Sequence, residues 1–375
     1  MAGIYVHIPF CKKRCSYCDF HFSTTFSKYR SQLIDAICLE LALRKNELNN
    51  ESIETIYFGG GTPSLLKSEE LSQILNAIRS NYLVSTGLEM TFEVNPEDAT
   101  EDNLINWKKQ GINRLSIGLQ SFQESDLNWM NRSHTLQQGT DAVRLAQVHG
   151  FTNISIDLIY GLPGLANEQW MEHLERALSL NVQHISSYCL TIEPKTALLN
   201  HVQKGVLERP SEDQQSEQFE IMVSVLQKSG FEQYEISNFA KDEHYAKHNS
   251  AYWNLTKYIG VGPSAHSFNG IERRWNIANN TKYYQQVGNN DHWFEAEVLS
   301  VAAQWNECFL TGLRTKWGVS KDKIQGFGGF HPTEERQLES YLSDGLMCEE
   351  EGFYSLTEKG KLQADGISAS FFRLD

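Results

Sequence analysis

The sequence predicts an α/β protein: a partial barrel of six parallel strands alternating with helices, followed by a smaller, mostly helical C-terminal domain of winged-helix type. Strand-like apolar runs and helical stretches alternate through the first half of the chain, and that order calls for parallel pairing through crossover helices. The alternation stops near residue 231. The residues with the most chemistry fall at the carboxyl ends of the strands, where α/β barrels gather their sites.

The first strand covers 4–8 and runs into a loop carrying three cysteines. A helical stretch at 29–48 leads to a strand at 53–58, closed by Gly59-Gly60-Gly61. The unit then repeats as helix 68–83 and strand 88–94, helix 100–110 and strand 113–118, helix 137–149 and strand 153–159, helix 167–180 and strand 183–191. The core barrel is therefore placed at 1–235, with an aromatic, Asn-rich connecting segment at 236–296 and the C-terminal domain at 297–375. In that last part a helix at 334–346, a strand at 354–356 and a helix at 357–367 give the winged-helix pattern.

A chain of 375 residues can bury a large core and a small companion. Its 33 basic and 47 acidic residues leave a net charge of -14, which argues against broad binding to nucleic acid or an anionic membrane. The acidic run Cys348-Glu349-Glu350-Glu351 points the winged-helix-like part toward packing or protein contact rather than DNA. The start Met1-Ala2-Gly3-Ile4-Tyr5 reads as a strand, and no apolar run of about eighteen residues follows, so a cytoplasmic chain with no membrane insertion is expected. Cys38, Cys189, Cys308 and Cys348 are scattered singly, as reduced thiols are, and seven cysteines is an odd number for a disulfide framework.

Cys11, Cys15 and Cys18 form a C-x3-C-x2-C run directly after the first strand. Three thiolates on one short loop can hold three corners of a cubane iron-sulfur cluster and leave the fourth iron open. Zinc is the other reading, with His7 or His21 as fourth ligand. The turn Gly59 to Thr62 ends the second strand with residues that let a backbone approach a ligand closely. Glu93, Gln120 and Asp157 belong to the third, fourth and fifth strands and line one rim.

Taken with Tyr5, Pro9, Tyr17 and the Gly-Gly-Gly-Thr-Pro turn, the cysteine run resembles the radical S-adenosylmethionine (SAM) superfamily, and within it the oxygen-independent coproporphyrinogen dehydrogenase-like group, over nearly the whole chain. The resemblance implies a radical SAM barrel with a [4Fe-4S] cluster on Cys11, Cys15 and Cys18, SAM on the open iron, and an external reductant for the cluster. It implies that Gly60, Gly61 and Thr62 hold the methionine amino group and that Arg132, in Met130-Asn131-Arg132-Ser133-His134, receives the methionine carboxylate. Gln120 and Asp157 take the ribose hydroxyls, Glu93 the ammonium or a nearby hydroxyl, and Tyr5 and Phe20 flank the cluster and adenine. One departure is Leu165-Ala166 after Gly161-Leu162-Pro163-Gly164, where the family often has Gln-Thr.

Authentic dehydrogenases of this group carry a further cysteine two residues after the third and a longer N-terminal segment. Here position 20 is Phe20 and four residues precede Tyr5. The chain therefore resembles the sister group, the radical SAM heme chaperones, whose H-N-x-x-Y-W motif is matched by His248-Asn249-Ser250-Ala251-Tyr252-Trp253. An imidazole can ligate heme iron, and Tyr and Trp offer flat apolar surface, although a lone histidine is more often a hydrogen-bonded core residue. The resemblance implies heme contact by His248, Tyr252 and Trp253, with His248 as the iron ligand, and delivery of heme to apo-hemoproteins, respiratory enzymes among them. His266, beside Gly260 and Gly262, is a second candidate contact whose plainer role is a loop residue. The alternative function is oxidative decarboxylation of coproporphyrinogen III propionates.

Overall fold

The computed structural model describes residues 2–374. Six parallel strands stand side by side in chain order: β1 (Ala2–Ile8), β2 (Ile53–Gly60), β3 (Val84–Val94), β4 (Arg114–Gln120), β5 (Ile154–Tyr160) and β6 (His184–Cys189). Each lies between faces of different character, which the two-residue period of a strand makes possible. Ile4, Val6, Phe58, Phe92, Leu115, Ile117, Ile154, Ile156 and Ile185 are fully buried in the apolar core that carries the helices. The alternate positions are polar: His7, Tyr57, Glu93, Arg114, Ser116, Asp157 and His184 face the barrel lumen.

The intervening helices begin and end on local signals. Thr100 caps the helix Glu101–Gln110 by accepting from the Asn103 amide, and Gly111 ends it at φ 101°. Thr135 and Gln138 form a capping box before Leu136–Val148. Helix and strand limits fall within a few residues of those expected; the largest differences are the first helix, Arg30–Leu43, which stops five residues short of 48, and β3, which starts four residues before 88.

The segment expected as a connector instead extends the sheet. β8 (Asn238–Ala240) adds antiparallel to β6 and β7 (Glu232–Glu235) antiparallel to β8, while β9 (Tyr258–Val261) pairs parallel with β1 and leads to antiparallel β10 (His266–Phe268), β11 (Glu272–Asn276) and β12 (Phe294–Val298). Among the described residues this makes one open sheet of twelve strands with β12 and β7 at its edges. Strands of three to five residues carry too little periodicity to be read from sequence.

The helix Lys247–Trp253 closes the amino-terminal end of the barrel. Glu89 of β3 accepts from the Lys247 and His248 amides at 3.2 and 3.1 Å, a carboxylate against a helix N-terminus. Gly3 of β1 gives the helix room, since a Cβ there would stand 2.8 Å from Thr55 Oγ1 and 3.2 Å from the His248 ring.

A second apolar cluster holds the C-terminal part around Trp305, Phe309 and Phe371, with the Trp305 indole donating to the Phe371 carbonyl at 2.7 Å. It carries the small antiparallel sheet of β13 (Val319–Ser320), β14 (Met347–Glu350) and β15 (Phe353–Leu356). The helix expected over 357–367 is two pieces, Glu358–Lys361 and Ala364–Ser370, broken at Gln363 between two glycines, Gly360 and Gly366, which are poor helix formers. No helix among the described residues is long and apolar enough to cross a membrane.

Glu40 ties the added strands to the barrel. It is wholly buried and accepts from Arg44 at 3.0 Å, Asn276 at 2.8 Å, the Tyr283 hydroxyl at 2.5 Å and the Gly262 amide at 3.0 Å. Removing one partner of such a buried pair leaves the other charge uncompensated. Glu40→Ala is expected to lower stability by roughly 3–5 kcal/mol, read from urea unfolding. A change below about 1 kcal/mol would contradict this role.

Candidate functional site

The cysteine loop is pinned at several points to the carboxyl end of the barrel. The Cys11 amide donates to the Ser23 carbonyl at 3.0 Å, the Ser16 amide to the Met130 carbonyl at 3.0 Å, and the Leu198 amide to the Ser16 carbonyl at 2.8 Å. Phe10 anchors its start, fully buried and stacked on Phe26 at 4.5 Å. The Gly59 to Thr62 turn passes so close that a Cβ on Gly61 would lie 2.8 Å from the Phe10 carbonyl, and Gly60 sits at φ 109° with the His7 ring 2.6 Å from where its Cβ would be. Those two positions require glycine.

Loop and turn border a cavity of about 960 Å³. Cys11, Cys15 and Cys18 all reach it, as do Gly60, Gly61 and Thr62. Glu93, Gln120, Asp157 and Arg132 form its barrel wall, and Phe20, 68% exposed, stands at its edge. Gln120 ends β4 at φ 69°, where the β4–β5 register shifts; a non-glycine held there marks strain of the kind found around sites. The opposite wall comes from the C-terminal part, through Arg314 and residues 361–366.

Two side-chain donors address the sulfurs of Cys11 and Cys15, and the Phe20 backbone bonds Cys18. The Thr62 hydroxyl donates to Cys11 Sγ at 3.5 Å, and Arg132 Nη1 to Cys15 Sγ at 3.6 Å. Burial pushes the Cys11 thiol up to about 11 and the Cys18 thiol to about 12, so binding iron through these sulfurs would release their protons. Among the described residues no three His, Cys, Asp or Glu side chains are grouped to share a single metal ion. Soft sulfur donors with N–H and O–H groups aimed at them fit an iron-sulfur cluster. The zinc alternative does not gain His7 as a fourth ligand, because its Nε2 donates to the His21 carbonyl at 2.9 Å and its Nδ1 accepts from Tyr5 at 3.1 Å, and His21 Nε2 already meets Asn280 at 2.7 Å.

Arg132 donates further to Asn95 Oδ1 and the Gly118 carbonyl, both at 2.9 Å, and its Nε is buried without a partner at the cavity wall. Glu93 accepts from the Tyr57 hydroxyl at 2.8 Å, and burial raises its carboxyl to about 7, the nearby Asp157 adding to the rise. Asp157 accepts from Ser116 at 3.1 and 3.2 Å and is raised by burial to about 6. Tyr57, Ser116, Asn95 and Arg114 also reach the cavity and were not singled out from the sequence. Their signal was available in Arg114-Leu115-Ser116-Ile117-Gly118, whose alternation puts a charged residue and a hydroxyl on one face of a strand with both faces covered.

Other expected residues lie apart from this cavity. Tyr5 is inside the lumen, 6.1 Å from the Tyr57 ring and 6.4 Å from that of His248. His248 is 1% exposed, and both ring nitrogens are taken, Nδ1 by Thr55 at 2.8 Å and Nε2 by Tyr252 at 2.8 Å. In this conformation it offers no nitrogen to an iron, and burial lowers it to about 3, so it is neutral. The expected axial ligation would need one of these bonds to open; the i, i+4 spacing turns His248 and Tyr252 to the same face of the closing helix. Trp253 packs behind the cavity wall, 5.0 Å beneath the Arg314 guanidinium. Asn249 is the motif residue that reaches the cavity. His266 is exposed on β10, beside Trp275.

Residues 5–177 match the model of the Radical SAM superfamily. The chain is 34% identical to the heme chaperone HemW of Bacillus subtilis over 99% of both proteins. It is 31% identical to the heme chaperone HemW of Mycobacterium tuberculosis, covering 97% of this chain and 93% of that one. The chain belongs to the HemW family of radical SAM proteins. A solved structure of coproporphyrinogen III oxidase (HemN) from Escherichia coli, a radical SAM enzyme, superposes with a TM-score of 0.86 at 25% identity, over 99% of this chain and 90% of that one. Membership implies a [4Fe-4S] cluster and SAM.

Because Glu93 holds its proton more tightly folded than unfolded, its contribution to stability is fully present below about 4.5 and fades as pH rises through about 7. Glu93→Gln is expected to flatten that decline, by up to roughly 3 kcal/mol between these limits, in urea unfolding of the cluster-free protein. An unchanged pH slope in the variant would show that Glu93 is not the group responsible.

Proposed function

We propose that the protein is a heme chaperone that carries a [4Fe-4S] cluster and SAM, binds heme, and passes it to apo-hemoproteins, respiratory enzymes among them. The observation that carries the reading is identity with named heme chaperones along the whole chain, including the part beyond the barrel. Phe20 supports it, standing where the dehydrogenases resembling this chain have a further cysteine.

In this reading Cys11, Cys15 and Cys18 hold three irons. Arg132 receives the SAM carboxylate through the nitrogen that lacks a partner, Gly60, Gly61 and Thr62 receive the amino group, and Gln120, Asp157 and Glu93 take hydroxyls or the ammonium. When bound, cluster and SAM supply one-electron chemistry. A carboxyl with its pKa near neutrality, as at Glu93, can accept or donate a proton beside that site. The cavity lies near the upper end of ordinary ligand pockets, about 300–1,000 Å³, and has walls from both parts of the chain. Heme binding is assigned here to the cavity, with Tyr252 and Trp253 supporting its wall from behind.

The second reading, an oxygen-independent coproporphyrinogen III dehydrogenase, is favoured by the closeness of the fold to HemN. One experiment separates them. Anaerobically reconstituted protein is titrated with heme and then mixed with an apo-acceptor, and a parallel sample is incubated with coproporphyrinogen III, SAM and a reductant. Saturable heme binding, transfer to the acceptor and no protoporphyrinogen are expected. Protoporphyrinogen formation, or the absence of heme binding, contradicts the chaperone reading.

A further inference from the structure

The foot of the barrel lumen holds a charge for which the chain provides no counterpart in contact. Arg114 opens β4, is 1% exposed and reaches the cavity from below. Its Nε is buried without a partner, and Thr91, its register neighbour on β3, has a buried Oγ1 that is also unpartnered.

The groups around Arg114 are committed elsewhere. His248 is bracketed by Thr55 and Tyr252, and His184 by Ser155 and Tyr234, each bond at 2.7 or 2.8 Å. Both imidazoles are kept neutral, by burial first and by the Arg114 charge second. The Tyr57 hydroxyl donates to Glu93, Glu89 accepts from the closing helix, and Asp157 accepts from Ser116. Asp157 feels the Arg114 charge but makes no ion pair with it among the described residues. A guanidinium taken out of water without an acceptor is costly, and a carboxylate is the group whose shape matches its paired N–H donors.

We propose that Arg114, with Thr91 beside it, is a carboxylate-binding subsite at the foot of the lumen. It rests on the heme-binding reading for its natural occupant, a propionate of the tetrapyrrole, reaching down from the cavity. A small free carboxylate has the same chemistry and is the other source.

The test compares heme with heme dimethyl ester, whose propionates are blocked, on anaerobically reconstituted wild type and Arg114→Gln. A parallel arm measures the melting temperature of both proteins with and without sodium propionate. If a propionate of heme is the occupant, esterification weakens binding to wild type by about ten- to a hundredfold, as for loss of a charged hydrogen bond, and Arg114→Gln weakens heme by a similar factor while leaving the ester unaffected. If the occupant is a small carboxylate, heme and ester bind wild type alike, and propionate raises the melting temperature of wild type but not of Arg114→Gln. Equal binding of heme and ester by wild type, with no propionate effect on its melting, overturns the subsite. The wild-type measurements can overturn the subsite even where the variant fails to fold. Failure of heme to bind at all sinks the chaperone reading alone, because the propionate arm still reports on Arg114.

Discussion

The barrel strands must satisfy two unlike media on opposite faces. Outward, Ile117, Ile156, Phe58 and Phe92 bury apolar area against the helices. Inward, the same strands present Ser116, Asp157, Tyr57 and Glu93, and each of these must find a partner in a confined space. The structure meets that demand with short pairs between neighbouring strands, such as Tyr57 to Glu93 and Ser116 to Asp157. It meets it at the far end with a helix whose first amides are held by Glu89. The lumen thereby stays polar without collapsing, and its open end is left free for the cysteine loop.

That constraint accounts for the state of the site groups. Burial pushes the Glu93 and Asp157 carboxyls and the Cys11 and Cys18 thiols upward, and it pushes His7, His184 and His248 downward. Desolvation disfavours the charged form in every case. Near pH 7 the Cys11 and Cys18 thiols and the three imidazoles are thus neutral, Glu93 stands close to its midpoint, and Arg132 and Arg114 are the fixed positive charges. Those two guanidiniums lie at different levels of the same cavity, one beside the sulfur of Cys15 and one at the floor, and each has a buried nitrogen without a partner. The orphaned donors are the most direct sign that the cavity receives anionic groups.

Much of this was legible in the residues. The strand and helix order follows from hydrophobic alternation, and C-x3-C-x2-C, the Gly59 to Thr62 turn, Glu93, Gln120, Arg132 and Asp157 all come to one cavity. The sheet extension was not legible, because β8, β9 and β10 are too short to show a period. Arg114 escaped notice because a charge at the start of a strand reads as an exposed end, and only closure of the barrel buries it. The partners of His248 are hidden for a related reason: its residue type suits a ligand, but what it bonds depends on what the helix packs against, and Thr55 is 193 positions away.

The central claim is that the Cys11, Cys15 and Cys18 loop seats a [4Fe-4S] cluster at the open end of this polar lumen with one iron left for SAM. Its most direct test is electron paramagnetic resonance of the anaerobically reconstituted, reduced protein before and after SAM is added, with metal and sulfide analysis on the same sample. The account predicts iron and sulfide in equal amounts and a cluster signal that changes on adding SAM. Zinc in place of iron, or a cluster signal indifferent to SAM, would contradict it.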